Sequence, residues 1–292
     1  MQLSKKLSFK KNLFLLTFIF IFLFDTPKIG YTKDVSEIQK VVLITGANRG
    51  IGLEFVRQYA NLDYKVIATC RNPDKAIELK KLTIKYNNIE IEQLDVTDAI
   101  QINSLAEKFS GQPIHILINN AALLGPRNDQ AFGNQDFELA QMQYAVNALG
   151  PIRVTAAFID NVRLAGPGKI ISLGSAAGSN GYLRPPADFY SYRASKAAQH
   201  FLIHNLALDL ASEKIIVGLI NPGLVDTRGL SKIGPDDSVP DDFAEIIKKI
   251  RSGQLKLITP KESVVAMIDI IDNLTFEQSG KFINFDGNSL PW

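Results

Sequence analysis

The chain has 292 residues, 46% of them hydrophobic and 21% charged, with a formal net charge of +2. That is ordinary globular usage, which excludes wholesale disorder, collagen-like repeats and coiled-coil rods. The first 40 residues carry seven lysines against three acids, so the remaining chain is slightly acidic and offers no basic footprint for nucleic acid. The single cysteine, Cys70, excludes an intramolecular disulfide and any CxxC metal or redox site.

Residues 1–40 read as a leader and linker, and 41–292 as one domain. Lys5, Lys6, Lys10 and Lys11 precede an apolar run, Leu13–Phe24, broken only by Thr17. A basic stretch before a short apolar run is the plan of a secretory signal. As a helix rising ~1.5 Å per residue, this run covers about 18 Å, short of the roughly 30 Å hydrocarbon core. Phe24-Asp25-Thr26-Pro27 is a poor cleavage site. Three readings stand: an uncleaved signal or anchor, a cleaved signal, or an extension outside the functional chain. The first predicts membrane association through residues 13–24; the second predicts export.

From Val41 the pattern alternates. Strands are expected at Val41–Thr45, Lys65–Thr69, Ile89–Leu94, Ile114–Ile118, Lys169–Leu173, Ile215–Ile220 and Lys281–Phe285. Helices are expected at Leu53–Ala60, Ile100–Phe109, Asp136–Ala157, Ser191–Leu210 and Glu262–Ile271. Apolar strands with little alternation belong to a sheet covered on both faces. The expected fold is therefore α/β: a doubly wound, seven-stranded parallel sheet between helical layers. One stretch, 226–259, breaks the rhythm. It contains Pro240-Asp241-Asp242, a helix start, followed by the apolar stripe Phe243, Ile246, Ile247, Ile250. Beside the carboxyl ends of the strands, it is expected to be a lid.

Thr45-Gly46-Ala47-Asn48-Arg49-Gly50-Ile51-Gly52 follows a strand and opens a helix. Gly46 permits the tight turn, Gly50 lets backbone approach a pyrophosphate, and Gly52 lets helix and strand pack closely. The helix N-terminus adds unpaired N–H groups and positive dipole for phosphates. After strand two stand Cys70-Arg71-Asn72, with no acid to take a ribose 2′-hydroxyl. Arg71, joined by Arg49, suits a 2′-phosphate instead, so NADP(H) is expected over NAD(H). Asp95 and Val96, ending strand three, are placed beside the adenine. Such a coenzyme is a cytosolic currency, so the body suits the cytoplasm while the leader points to membrane or export.

Tyr192 and Lys196 stand at i and i+4, on one face of a helix. A phenol must be perturbed to exchange protons near neutral pH, and a nearby ammonium does so. Ser175, in Gly174-Ser175-Ala176-Ala177-Gly178 after strand five, can hydrogen-bond a carbonyl. His200 and His204, also at i and i+4, lack a third ligand, so no metal is expected. Gly174–Gly178 is not the G-x-S-x-G of a hydrolase.

Together these segments resemble the short-chain dehydrogenase/reductase family, from about Val41 to Trp292. The resemblance is carried by the turn Thr45–Gly52, Asn119-Asn120-Ala121-Ala122, Asn147, Ser175, Tyr192 with Lys196, and Asn221-Pro222-Gly223-Leu224-Val225-Asp226-Thr227. Tyr192–Ala198 and the closing Ser279–Trp292 look most like the C-factor-like and sniffer-like carbonyl reductases. The resemblance implies a Rossmann-type fold and catalysis by Asn147, Ser175, Tyr192 and Lys196. Asn147 would position Lys196 through water, and Lys196 would lower the Tyr192 pKa. It implies a coenzyme site of Gly46, Asn48, Arg49, Gly50, Ile51, Gly52, Arg71, Asp95, Val96, Asn119, Ala121, Tyr192, Lys196, Pro222, Gly223, Val225 and Thr227. The substrate would be a small carbonyl or alcohol, with monomer, homodimer and homotetramer open. An NADP(H)-binding sensor with little turnover is the alternative. Two further departures set expectations. Ala122 stands where the family has Gly, so a positive φ there would be strained. The span of 17 residues from Ser175 to Tyr192 loops out at Arg184–Ala187.

Overall fold

The computed structural model describes residues 39–183, 188–233 and 244–292. Seven parallel strands, β1 Val41–Ile44, β2 Lys65–Cys70, β3 Ile89–Gln93, β4 Ile116–Asn119, β5 Lys169–Leu173, β6 Ile216–Asn221 and β7 Phe282–Asn284, form one sheet in the order 3-2-1-4-5-6-7. The order reverses between β1 and β4, which places the carboxyl ends of those strands at a switch point where ligands bind α/β sheets. Alternate residues of each strand feed two cores. Val42, Ile44, Val66 and Ala68 face one; Val41, Leu43 and Ile67 face the other. Both are buried, which is why the strands read as unbroken apolar runs.

Helices α1 Gly50–Asn61 and α8 Pro260–Asn273 cover the first core; α3 Ala99–Lys108, α5 Gly150–Leu164 and α6 Tyr190–Asp209 cover the second. Short helices α2 Ile77–Lys85, α4 Phe137–Gln143 and α7 Ala244–Arg251 complete the set among the described residues. The expected helix 136–157 is interrupted: between α4 and α5 the chain makes a π-helical turn, Tyr144–Leu149, which carries Asn147. Such bulges swing side chains off the regular helical face and recur at functional sites.

The membrane association expected through residues 13–24, and the location drawn from it, do not stand. Among the described residues no helix is long and apolar enough to cross a membrane. The longest of them, α6, carries Arg193, Lys196 and Asp209 along its 20 residues. Residues 13–24 themselves lie outside the described residues, as do Arg184–Ala187, Pro240–Asp242 and Phe243.

Candidate active site

The coenzyme end is built by backbone. Thr45, at the end of β1, turns its Oγ1 to accept the N–H groups of Asn120 and Ala121, each at 3.0 Å. Asn120 Nδ2 returns to the carbonyls of Thr45 (2.8 Å) and Gly46 (3.0 Å). The turn and the segment after β4 are thus laced together. Space is the limiting quantity. A Cβ on Gly52 would lie 2.3 Å from the Gly46 carbonyl oxygen, and Gly46 itself has φ +66°. Thr227 closes the cradle from the β6 side, its Cγ2 standing 3.1 Å from where a Gly50 Cβ would be.

The N-cap of α1, Arg49, makes no capping hydrogen bond and no acid occupies the first turn. Its leading N–H groups therefore remain for an anion. This cradle fits a dinucleotide: donors without a side-chain cap, no room for a Cβ, and exposed Arg49 and Arg71 uncommitted to ion pairs with described residues. The other expected contacts have these neighbours. Asn119 is buried and donates to Thr155 Oγ1 at 3.1 Å, so its side chain serves α5. The Asp95 carboxylate accepts from the Thr97 N–H and hydroxyl, forming a local turn. Val96 is buried and stands within 2.9 Å of a Gly150 Cβ position. Ile51 packs on the first core and Asn48 is half-buried. Ala122 is absent from the positive-φ residues, so the expected strain does not arise.

After β6, Ser263 Oγ holds the Pro222 carbonyl, and Gly223 at φ +80° turns the chain over Phe285. Val225 bridges Ile258, which pins the two ends of the 226–259 excursion together. Within it, Ile247 of α7 is buried.

The catalytic end is built by buried side chains. Ser175 is held at three points. Its N–H donates to His200 Nε2 (3.2 Å) and its Oγ accepts from Ala177 N–H (3.2 Å), which leaves the hydroxyl beside the Tyr192 phenol as the third point. Burial pushes the Tyr192 pKa up, and the nearby Ser175 hydroxyl opposes this without reversing it. Tyr192 therefore keeps its proton at neutral pH. Lys196, buried, donates to Leu173 O and Gln199 Oε1, each at 2.9 Å, and burial lowers its pKa to about 7. Asn147 has its own side-chain partners. Its amide exchanges hydrogen bonds with the Leu123 backbone (2.7 and 2.9 Å) and donates to Ser195 Oγ at 2.9 Å.

His200 accepts with Nε2, so its proton lies on Nδ1; burial and the Lys196 charge lower its pKa to about 3. His204 Nδ1 donates to Gly280 O at 3.1 Å. Both imidazoles are thus engaged with backbone.

Gln130 escaped sequence reading. The N-cap of α6, Phe189, supplies no side-chain bond. In its place Gln130 Oε1 accepts from Tyr192 N–H at 3.0 Å and from Ser191 Oγ at 3.1 Å, while its Nε2 donates to Leu124 O and Pro126 O. A lone glutamine in a loop gives no local signal of such a role. Asp188 adds ion pairs to Arg127 and Arg193, both 2.8 Å.

Comparison with known proteins decides the family. The short chain dehydrogenase model matches residues 40–238. The chain belongs to the short-chain dehydrogenase/reductase family. An uncharacterised oxidoreductase of Schizosaccharomyces pombe is 31% identical over 255 residues, covering 86% of this chain and 97% of the relative. Among solved structures, the NADPH-bound carbonyl reductase from chicken fatty liver superposes with a TM-score of 0.73 at 31% identity, covering 87% of this chain and 99% of that one. A short-chain dehydrogenase/reductase of Burkholderia multivorans with bound NADP gives 0.70 at 26%, covering 87% and 100%.

Proposed function

We propose that this family member is an NADP(H)-dependent carbonyl reductase of the C-factor-like and sniffer-like branch, acting on a small aldehyde or ketone or on the corresponding alcohol. The observation that carries the reading is the Ser175 hydroxyl beside the buried Tyr192 phenol, with Lys196 buried one helical turn away on α6. The NADPH and NADP of the two solved relatives support the coenzyme.

The glycine turn and the first N–H groups of α1 would hold the pyrophosphate, and Arg71 with Arg49 the 2′-phosphate. When bound, NADPH supplies the hydride that a carbonyl carbon accepts. The chain's own part is the proton and the charge. Ser175, fixed by His200 and Ala177, donates its hydroxyl to the carbonyl oxygen and orients it. Tyr192, loaded as an acid by its raised pKa, gives its proton to the developing alkoxide. Lys196 in its ammonium form stabilises the phenolate left behind. Asn147 ties the Leu123 segment to Ser195 and so sets the wall facing Tyr192. The 226–259 excursion, pinned at Val225 and Ile258, serves as cover for the substrate end.

The test is coenzyme oxidation against a panel of aldehydes and ketones. We expect turnover with NADPH favoured at least tenfold over NADH, about 1.4 kcal/mol. Arg71→Asp should narrow or reverse that preference. No turnover across the panel overturns the activity; equal use of both coenzymes overturns the assignment of Arg71.

A further inference from the structure

A surface helix normally buries an apolar stripe. Of the six buried residues of α6, four are polar: Ser195, Lys196, Gln199 and His200. Ser195 and His200 are accounted for by Asn147 and Ser175, but Gln199 has no part in the chemistry above. It is 1% exposed, and both ends of its amide are bonded. Oε1 accepts from Lys196 Nζ at 2.9 Å, and Nε2 donates to Ser172 Oγ at 2.8 Å. Ser172 lies on β5 and is fully buried. The ammonium fixes which way the amide faces, because a flipped amide would set a donor against it, and Ser172 anchors the other end.

We propose that Gln199 is a positioning residue that clamps Lys196 and keeps its amine charged, with Ser172 anchoring the amide; the catalytic value of that clamp rests on the function proposed above. An ammonium removed from water must find acceptors or lose its proton. Lys196 has three N–H donors, and Leu173 O and Gln199 Oε1 take two. Both acceptors are neutral, so the charge is held by dipoles alone, and removal of one shifts the balance towards the free amine.

The charged and titratable groups around this amine are few. On its own helix Tyr192 and His200 flank it, and His200 is neutral at physiological pH. The π-helical turn brings Asn147 and the partly exposed Tyr144. The turn Ala176–Gly178 and strand β6 bring no ionisable side chain, and Lys169 of β5 is engaged by the carbonyl of Asp272.

The test is a titration of Lys196 in the full chain by NMR with isotope-labelled lysine, its signal assigned by loss in Lys196→Met. Gln199→Met removes the acceptor at similar volume and should lower the midpoint by roughly one pH unit, about 1.4 kcal/mol. Gln199→Glu places an anion there and should raise it by at least as much. Ser172→Ala frees the amide and should fall between wild type and Gln199→Met. A packing role would not move the midpoint in opposite directions. If Gln199→Met fails to fold, the other two variants decide. Midpoints unmoved in Gln199→Glu and Ser172→Ala overturn the proposal. The titration needs no turnover. A chain that titrates as expected yet reduces no carbonyl therefore overturns the functional reading alone.

Discussion

The glycine turn and the Tyr192 helix lie at two ends of one site and are held by different means. At the turn, Thr45 and Asn120 lace backbone to backbone, and the decisive quantity is the space beside Gly52. At α6, residues distant in sequence converge: Gln130 caps the helix, His200 holds the Ser175 loop, and Gln199 holds Lys196. The first arrangement is local and needs small residues. The second places many polar atoms out of water, where each must be partnered or cost stability. Three buried atoms there, Gln143 Oε1, Arg193 Nε and His200 Nδ1, have no hydrogen-bond partner among the described residues. In the proposed function the chemistry would sit on the half whose order depends on side chains, and the coenzyme on the half whose order depends on backbone.

The largest effect is expected from Gly52→Ala. The added Cβ would meet a carbonyl oxygen at 2.3 Å, and backbone cannot step aside as a flexible side chain would. The loss of stability should reach about 3 kcal/mol, the upper end of ordinary overpacking, with coenzyme binding lost. Chemical denaturation and a coenzyme titration measure both. A variant that binds NADPH normally would break the backbone half of the comparison.

Gln130→Ala should act on the other half. Removing the cap leaves the Tyr192 N–H unpartnered, a loss of about 1 kcal/mol by the usual cost of a cap. We expect kcat to fall several-fold with the coenzyme Kd unchanged. The reverse pattern, weaker coenzyme binding at constant kcat, would show that the two halves are not separable in this way.

A third effect is in acid. The pKa of His200 is depressed from 6.5 to about 3, so between those values the unfolded chain binds a proton that the folded chain refuses. Stability should therefore fall as pH drops from about 6.5 towards 3, and His200→Gln should flatten that slope. Lys196 has the same sign in another window: from about 7 to 10.5, stability should rise with pH. Denaturation curves across pH in wild type and both single variants separate the two contributions.

The same contrast governs what could be read from sequence. Each strand lies within about two residues of its expected place, because burial on both faces writes an unbroken apolar run. The glycine turn was legible because a missing Cβ is a local property. Helix α2 was not, since Leu79 is its one buried residue while Ile77 and Ile84 are exposed, leaving no apolar stripe. The π-helical turn at Asn147 is too short to disturb a helical period. Asn119 bonds Thr155 while its neighbour Asn120 braces the turn, a division that the doubled asparagine does not announce. Gln130, Gln199 and His200 resemble surface polar residues until the fold shows what they touch.

The central claim is that Tyr192 is the proton donor on a helix ordered separately from the coenzyme cradle. Tyr192→Phe removes one hydroxyl and leaves the glycine turn, Lys196 and Gln130 in place. Its steady-state reduction of the best carbonyl of the panel should be measured beside its NADPH affinity. We expect kcat to fall by about 10²-fold or more, the range of general acid catalysis, while NADPH binds nearly as in the wild type. A variant that keeps more than about a tenth of the wild-type kcat would contradict it.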